Sequence, residues 1–368
     1  MVGESPASGS PNGVDTSEMK PSPRSMCDAA ADLARKVLSG RVADLRPMPA
    51  EAAGAEPRGC LHRYRPPEGV IPTGPPVLFV APLAAPARCY DLRRGCSLIG
   101  HAVARGRRTY LLDPGTPRFA DRGPALAAWA ERVLPAAIRA VSRDAGGQPV
   151  QLVGWCLGGA HSLLAATDPT LPIASVAAVA IPAGPPPAPF PGGLPGMLGD
   201  RPEALLRRAF RYADIGGYLR RPHKIVTGFD IAEFLAQEEA VDHFLGMMPA
   251  APGRTAEQVY TAFVRELAPA GDRLEVGGRR ARLADVRVPV LLVAGRGDAV
   301  APVAAVRSVA RRLTGSPKLR TVAAPGGHLG VLTGPAARTT TWAHLDRWLD
   351  EGVLRHGIRA HRREAASV

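Results

Sequence analysis

The residues best suited to chemistry lie in one short stretch, Pro149 to Ala166. There the apolar run Val150-Gln151-Leu152-Val153 leads into Gly154-Trp155-Cys156-Leu157-Gly158-Gly159 and then into an Ala- and Leu-rich segment. Strand, sharp turn and helix in that order make a nucleophile elbow, here with cysteine where such elbows usually carry serine. The turn would hold Cys156 in a strained conformation, and side chains at Gly154 or Gly158 would collide with the neighbouring strand and helix. The thiol would be exposed at the strand end, at the start of a helix whose dipole and backbone amides favour a thiolate and can hold an oxyanion. The plainer alternative is a buried cysteine in a Gly-rich turn, and the residues downstream argue against it.

Asp298 closes the turn Gly295-Arg296-Gly297-Asp298 after the apolar run Val288 to Ala294, and His328 lies in the loop Pro325 to Gly330. Each has an ordinary explanation, as a turn aspartate or a loop histidine after two glycines. Together with Cys156 they follow the chain order of the α/β-hydrolase triad: elbow nucleophile, acid at a later strand end, histidine in a later loop. His328 would take the thiol proton and return one to a leaving group, while Asp298 would fix the imidazole tautomer and stabilise its charged form. A free thiol titrates near about 8.5, so it needs less activation than a serine. His161 is expected to pack within the elbow helix, and His101 has no motif around it.

These residues need a scaffold of alternating strands and helices. Strands are expected at Cys60 to Tyr64 (an edge strand), Pro76 to Ala81, Arg108 to Asp113, the elbow strand, Ser175 to Ile181, Val288 to Ala294 and Leu319 to Ala323. Helices are expected at Ser97 to Arg105, Pro124 to Ser142 with Pro135 kinking it or splitting it in two, after the elbow, at Val303 to Leu313 and at Thr340 to Leu349, where Trp342, Leu345 and Leu349 share a face. This rhythm predicts an α/β fold, a mostly parallel sheet with helices on both faces and its ligand site beyond the carboxyl ends of the strands. Residues 1–24 are expected to be disordered, 25–56 a helix and linker, and 57–181 the first part of the core. Residues 182–287 interrupt the rhythm with helical segments near Glu203 to Tyr212, Ile231 to Met247 and Thr255 to Leu267 and without a clear strand. They read as an inserted helical cap, with a separate helical partner-binding domain as the competing arrangement. The core resumes over 288–354, and 355–368 is a basic, solvated tail.

A chain of 368 residues with 46% hydrophobic content suits one large α/β domain with an insertion, or two smaller domains, of which the first fits the pattern better. Its net charge of +13 comes with 42 arginines and four lysines beside 40 glycines and 38 prolines, a compositional bias. Such a field would still steer anionic partners: a phosphorylated acyl carrier, a nucleic acid or an anionic surface. No aromatic-and-basic recognition module and no metal-spaced Cys/His cluster is present in the sequence, so neither nucleic-acid binding nor a metal is expected. Cys27, Cys60, Cys89, Cys96 and Cys156 are an odd set without the density of a disulfide scaffold, which predicts reduced, cytoplasmic chemistry. The start Met1 to Pro6 lacks the basic and apolar regions of a signal peptide. Leu171 to Phe190, the most apolar span, is broken by prolines and is not expected to cross a membrane.

Three motifs in this order resemble the polyhydroxyalkanoate synthases, particularly the short catalytic subunits of the two-subunit type. They are the G-x-C-x-G-G box at Gly154 to Gly159, Asp298 followed four positions later by Pro302, and G-G-H at Gly326 to His328. Asp91-Leu92 with Ser97-Leu98, and Val276-Gly277-Gly278 before the acid strand, extend the likeness over Cys60 to Leu349. The resemblance implies an α/β-hydrolase fold, a cap over the thiol, hydroxyacyl-coenzyme A as donor, and a polyester growing as a thioester on Cys156. It also implies an oxyanion hole from the backbone amide of Leu157 and one from the loop at Leu83 or Ala84. The chain departs from the family at Ala299, where synthases usually have His, at Asp113-Pro114 in place of Asp-Trp, and in Leu83 to Arg88, which lacks the usual Asn and Tyr. The expected function is a synthase-like acyltransferase with the coenzyme A thioester as substrate and no further cofactor, leaving a homodimer or a partner subunit open. A cysteine-dependent hydrolase, such as a thioesterase or esterase, and a non-catalytic binding protein on the same fold are the alternatives.

Overall fold

Apolar runs in this chain alternate with amphipathic segments, and the computed structural model folds them into a layered sheet. It describes residues 42–56, 59–83, 85–115, 129–182, 231–247, 273–276 and 279–357. The chain divides after Val42, and the elements below belong to the unit Ala43–Val368. The main sheet comprises β1 (Ala50–Glu56), β2 (Gly59–Tyr64), β3 (Val77–Val80), β4 (Thr109–Asp113), β5 (Val150–Trp155), β6 (Ile173–Val179), β7 (Val290–Gly295) and β8 (Leu319–Ala324). Its spatial order is β1-β2-β4-β3-β5-β6-β7-β8. β1 and β2 run antiparallel to their neighbours, and all other pairs are parallel. Every residue of β3, β5, β6 and β7 is buried, which is why these runs lack polar alternation.

The helices are α1 (Leu98–Ala104), α2 (Leu134–Asp144), α3 (Leu157–Ala165), α4 (Ile231–Gly246), α5 (Val303–Ala310), α6 (Gly330–Thr333), α7 (Pro335–Thr339) and α8 (Thr341–His356). Ser97 caps α1, its hydroxyl accepting from the Gly100 amide at 2.9 Å. α2 buries Leu134, Ala137, Ile138 and Val141, a helical stripe, and begins after a π-helical turn at Trp129–Val133, with Pro135 in its first turn. α8 buries the expected face of Trp342, Leu345 and Leu349, together with Trp348. Helices cover both faces of the sheet. A Cβ on Gly352 of α8 would meet the Gln151 side chain, whereas one on Gly154 would meet Gly158 of α3. Positions 151 and 154 of one strand point to opposite faces.

Several expectations need correction. The stretch 40–56, expected as a linker, contains strand β1. Before it, the Met48 amide donates to the Asp91 carboxylate at 2.6 Å and Arg94 N–H to the Asp44 carbonyl at 2.8 Å. β1 therefore takes the edge that Cys60 to Tyr64 was expected to hold. The insertion, expected to be strand-free, ends in an antiparallel hairpin, Arg273–Val276 with Arg279–Arg282. α8 runs on to His356, taking the start of the expected tail into a helix. The helices expected at Glu203 to Tyr212 and Thr255 to Leu267, and nearly all of the N-terminal region, lie outside the described residues. Within them, no helix is long and apolar enough to cross a membrane.

Candidate active site

Strand β5 ends at Trp155, and Cys156 turns the chain into α3 with φ 53° and ψ −122°, a left-handed conformation that a residue with a side chain rarely adopts. The turn is tight because Gly154 and Gly158, two positions to either side of Cys156, lack side chains. A Cβ on Gly154 would lie 2.4 Å from the backbone of Gly158 and Gly159, and one on Gly158 would lie 2.0 Å from the Val80 carbonyl oxygen on β3. The collisions expected from the sequence are thus against backbone, which cannot swing away. The Cys156 amide donates to the Val179 carbonyl of β6 at 2.9 Å, fixing the elbow between two strands. The thiol is at the strand end as expected but is not exposed. Cys156 is 8% accessible and belongs to the apolar cluster built by the strand ends.

β7 and β8 deliver the other two groups. The Arg296 amide donates to the Ala324 carbonyl, and the Gly297 amide donates to the Gly326 carbonyl at 3.0 Å, so the two strand-end loops are tied together. Gly295 permits this, since a Cβ there would lie 2.7 Å from the Gly326 oxygen. Asp298 and His328 are buried, and His328 Nδ1 lies 2.9 Å from Asp298 Oδ2. The other carboxylate oxygen accepts from the Val300 and Ala301 amides at 2.8 and 2.7 Å, so the carboxylate cannot rotate off the imidazole. Burial opposes a charge on His328, but the Asp298 carboxylate, together with charge interaction and hydrogen bonding from Cys156, outweighs it and raises the imidazole to about 10. The structure therefore brings Cys156, His328 and Asp298 into one cluster.

Two neighbours were not picked out from the sequence. The Tyr90 hydroxyl, fully buried, donates to the Val80 carbonyl at 2.9 Å and accepts from the Trp155 amide at 2.6 Å, pinning the elbow to the end of β3. Trp155, the second residue of the G-x-C-x-G-G box, donates its indole N–H to the His328 carbonyl at 2.9 Å. The described helix of the insertion, α4, packs on this region. Phe244 lies edge-on to Trp155, and Glu233 accepts from both Arg93 and Arg338 at 2.5 Å. The large aromatic residue beside the nucleophile was the signal available in the sequence.

Leu157 opens α3, where first-turn amides have no intrahelical acceptor. Leu83 follows β3 and is partly exposed, and Ala84 lies outside the described residues. His161 is buried on α3 and lowered to about 4 by burial, so it is neutral. His101 instead pairs with Asp346 at 2.9 Å, bridging α1 to α8. Ala299 is exposed beside buried Asp298. Among the described residues Cys89, Cys96 and Cys156 are free thiols, and no three His, Cys, Asp or Glu side chains gather as a metal site.

A family model described as the α/β-hydrolase fold matches residues 75–335. The chain is 26% identical over 335 residues to the poly(3-hydroxyalkanoate) polymerase subunit PhaC of Allochromatium vinosum, spanning 86% of this chain and 92% of that one. It is 25% identical over 339 residues to the protein of the same name from Thiocystis violacea, with the same shares covered. A solved α/β-hydrolase fold protein from Nakamurella multipartita is similar with a TM-score of 0.50 at 18% identity, covering 83% of this chain and 100% of that one. The strand order, the elbow and the matched residues agree, and this chain belongs to the α/β-hydrolase fold family.

Proposed function

We propose that this protein is a cysteine-dependent acyltransferase of polyhydroxyalkanoate synthase type. On this reading Cys156 takes an acyl group from a hydroxyacyl-coenzyme A and passes it to the hydroxyl of a second hydroxyacyl group. The observation that carries the reading is the strained elbow cysteine beside a buried imidazole that is itself held by a buried carboxylate. The polymerase-subunit relatives, which span most of both chains, support the choice of an acyl thioester.

The geometry suits a transfer in two halves. The imidazole of His328 keeps its proton well above neutrality and faces the sulfur as a cation, which favours attack by the thiolate form. The new thioester bond forms as the coenzyme A sulfur leaves, and His328 gives that sulfur its proton. The neutral imidazole then takes the proton of the acceptor hydroxyl, whose oxygen attacks the Cys156 thioester. An ester forms, and the cysteine and imidazolium are restored. The Leu157 amide and one from the Leu83 or Ala84 loop would hold the oxyanion, and Asp298 would keep the tautomer in both halves. The proposed setting is the cytoplasm, as homodimer or with a partner subunit. Incubating the purified protein with 3-hydroxyacyl-coenzyme A and following thiol release tests the reading. Oligomer carried on the protein supports transfer, and free acid at every concentration would assign hydrolysis instead.

A further inference from the structure

We infer that Trp155 is a positioning residue for His328, with Phe244 of helix α4 as its backing, so that the insertion helps to set how the imidazole meets the thiol. The inference rests on the reading of Cys156 and His328 as the reacting pair. Trp155 is the last residue of β5, and strand alternation sends its side chain to the face opposite Gly154, away from α3. The indole has one hydrogen-bond donor, and it is spent on the carbonyl of His328 itself at 2.9 Å. The indole and imidazole centroids are 5.0 Å apart with planes inclined at 41°, close enough for the ring to stabilise an imidazolium.

The indole has little freedom to leave this place. Its backbone amide is bonded to the Tyr90 hydroxyl, and Phe244 abuts the ring at 6.5 Å in a T-shaped contact; Trp155 and Phe244 are both 0% accessible. Phe244 in turn is fixed because α4 is bound to the core at Glu233, through Arg93 and Arg338, and at Gln237, whose amide donates to the Thr333 carbonyl at 3.2 Å. A rigid chain of contacts thus runs from the insertion through Phe244 and Trp155 to the histidine loop. A smaller or non-donating residue at 155 loosens that loop and weakens the imidazolium without touching the sulfur.

The test is the pH dependence of Cys156 alkylation by iodoacetamide, read on the Cys156 peptide by mass spectrometry, alongside turnover of 3-hydroxyacyl-coenzyme A. The proteins compared are the wild type, Trp155→Phe, Phe244→Leu and His328→Ala. Trp155→Phe should alkylate about five- to tenfold more slowly near neutrality, with its profile shifted to higher pH, the effect expected from one lost buried hydrogen bond. Its kcat should fall by a similar factor, with KM within about twofold, because substrate contacts are untouched. Phe244→Leu should shift the profile the same way by a smaller factor. A folded Trp155→Phe protein with the wild-type profile would overturn the inference, and if that variant does not fold, an unshifted Phe244→Leu profile does so. The underlying reading fails separately: it falls, and the inference with it, if His328→Ala alkylates like the wild type.

Discussion

Replacing Asp298 by asparagine isolates the electrostatic part of the site, since the two side chains have nearly the same shape. In the native protein one carboxylate oxygen accepts from the Val300 and Ala301 amides at 2.8 and 2.7 Å, and the other faces His328 Nδ1 at 2.9 Å. An asparagine keeps a single carbonyl oxygen. If that oxygen stays on the two amides, the NH2 group faces Nδ1, and the imidazole must turn Nδ1 into an acceptor and carry its proton on Nε2. The ring can then no longer accept a proton on the side of the sulfur. The negative charge is lost as well, so only Cys156 is left to oppose desolvation and the His328 imidazole holds its proton less firmly than in the native protein. A serine enzyme loses about 10⁴ in turnover from such an exchange. A thiol needs less help, so kcat should fall about 10²- to 10³-fold, which is roughly 3–4 kcal/mol of barrier. Coenzyme A release at saturating substrate measures this, with circular dichroism melting to verify the fold. A folded Asp298→Asn protein within about threefold of the wild-type kcat would refute the assignment of Asp298 as the orienting acid.

Gly158→Ala places a methyl 2.0 Å from the Val80 oxygen and 3.0 Å from its carbonyl carbon, so the elbow or β3 must shift. Urea unfolding should show a loss of at least about 3 kcal/mol, the upper range for overpacking, and an unchanged midpoint would contradict the tight approach of α3 to β3. Tyr90→Phe removes the hydroxyl that serves both the Val80 carbonyl and the Trp155 amide, for an expected cost of about 2 kcal/mol in the same assay. His328 titrates near about 10 when folded against roughly 6.5 when unfolded, so the folded chain binds the extra proton between these values. Its contribution is full below about pH 6.5 and is lost as pH rises through about 10. The wild type should therefore lose more thermal stability than His328→Gln on going from pH 7 to 10, and an equal or smaller loss would reverse the sign of that argument.

The candidate site was legible in the sequence because the chemistry proposed for it needs particular residues at particular steps of the chain. Gly154, Cys156 and Gly158 announce a turn that only small residues two positions to either side permit; Asp298 follows the apolar run of an inner strand, and His328 follows a short mixed run that forms the edge strand β8. The strands missed were those whose composition gives no such signal. β1 reads Ala-Glu-Ala-Ala-Gly-Ala-Glu, with no β-branched or aromatic residue, and it becomes a strand by pairing with β2. The hairpin Arg273–Val276 and Arg279–Arg282 has arginine at half of its positions, and its apolar alternation, Leu274 and Val276, lasts only one four-residue strand. Burial of the Cys156 thiol could not be read locally either, because it depends on strand ends far apart in sequence. Tyr90 and Trp155 lay beside recognised motifs, but what they bond is a property of the tertiary arrangement, 65 residues apart for one contact and 173 for the other.

The central claim is that Cys156 carries the acyl group between donor and acceptor. Rapid quenching of the protein with 3-hydroxyacyl-coenzyme A, followed by peptide mass spectrometry, tests it most directly. The account predicts a hydroxyacyl adduct on the peptide containing Cys156 that appears with coenzyme A release, is removed by hydroxylamine and is absent from Cys156→Ala. Steady coenzyme A release by a folded Cys156→Ala protein, or an acyl group carried on another residue, would contradict it.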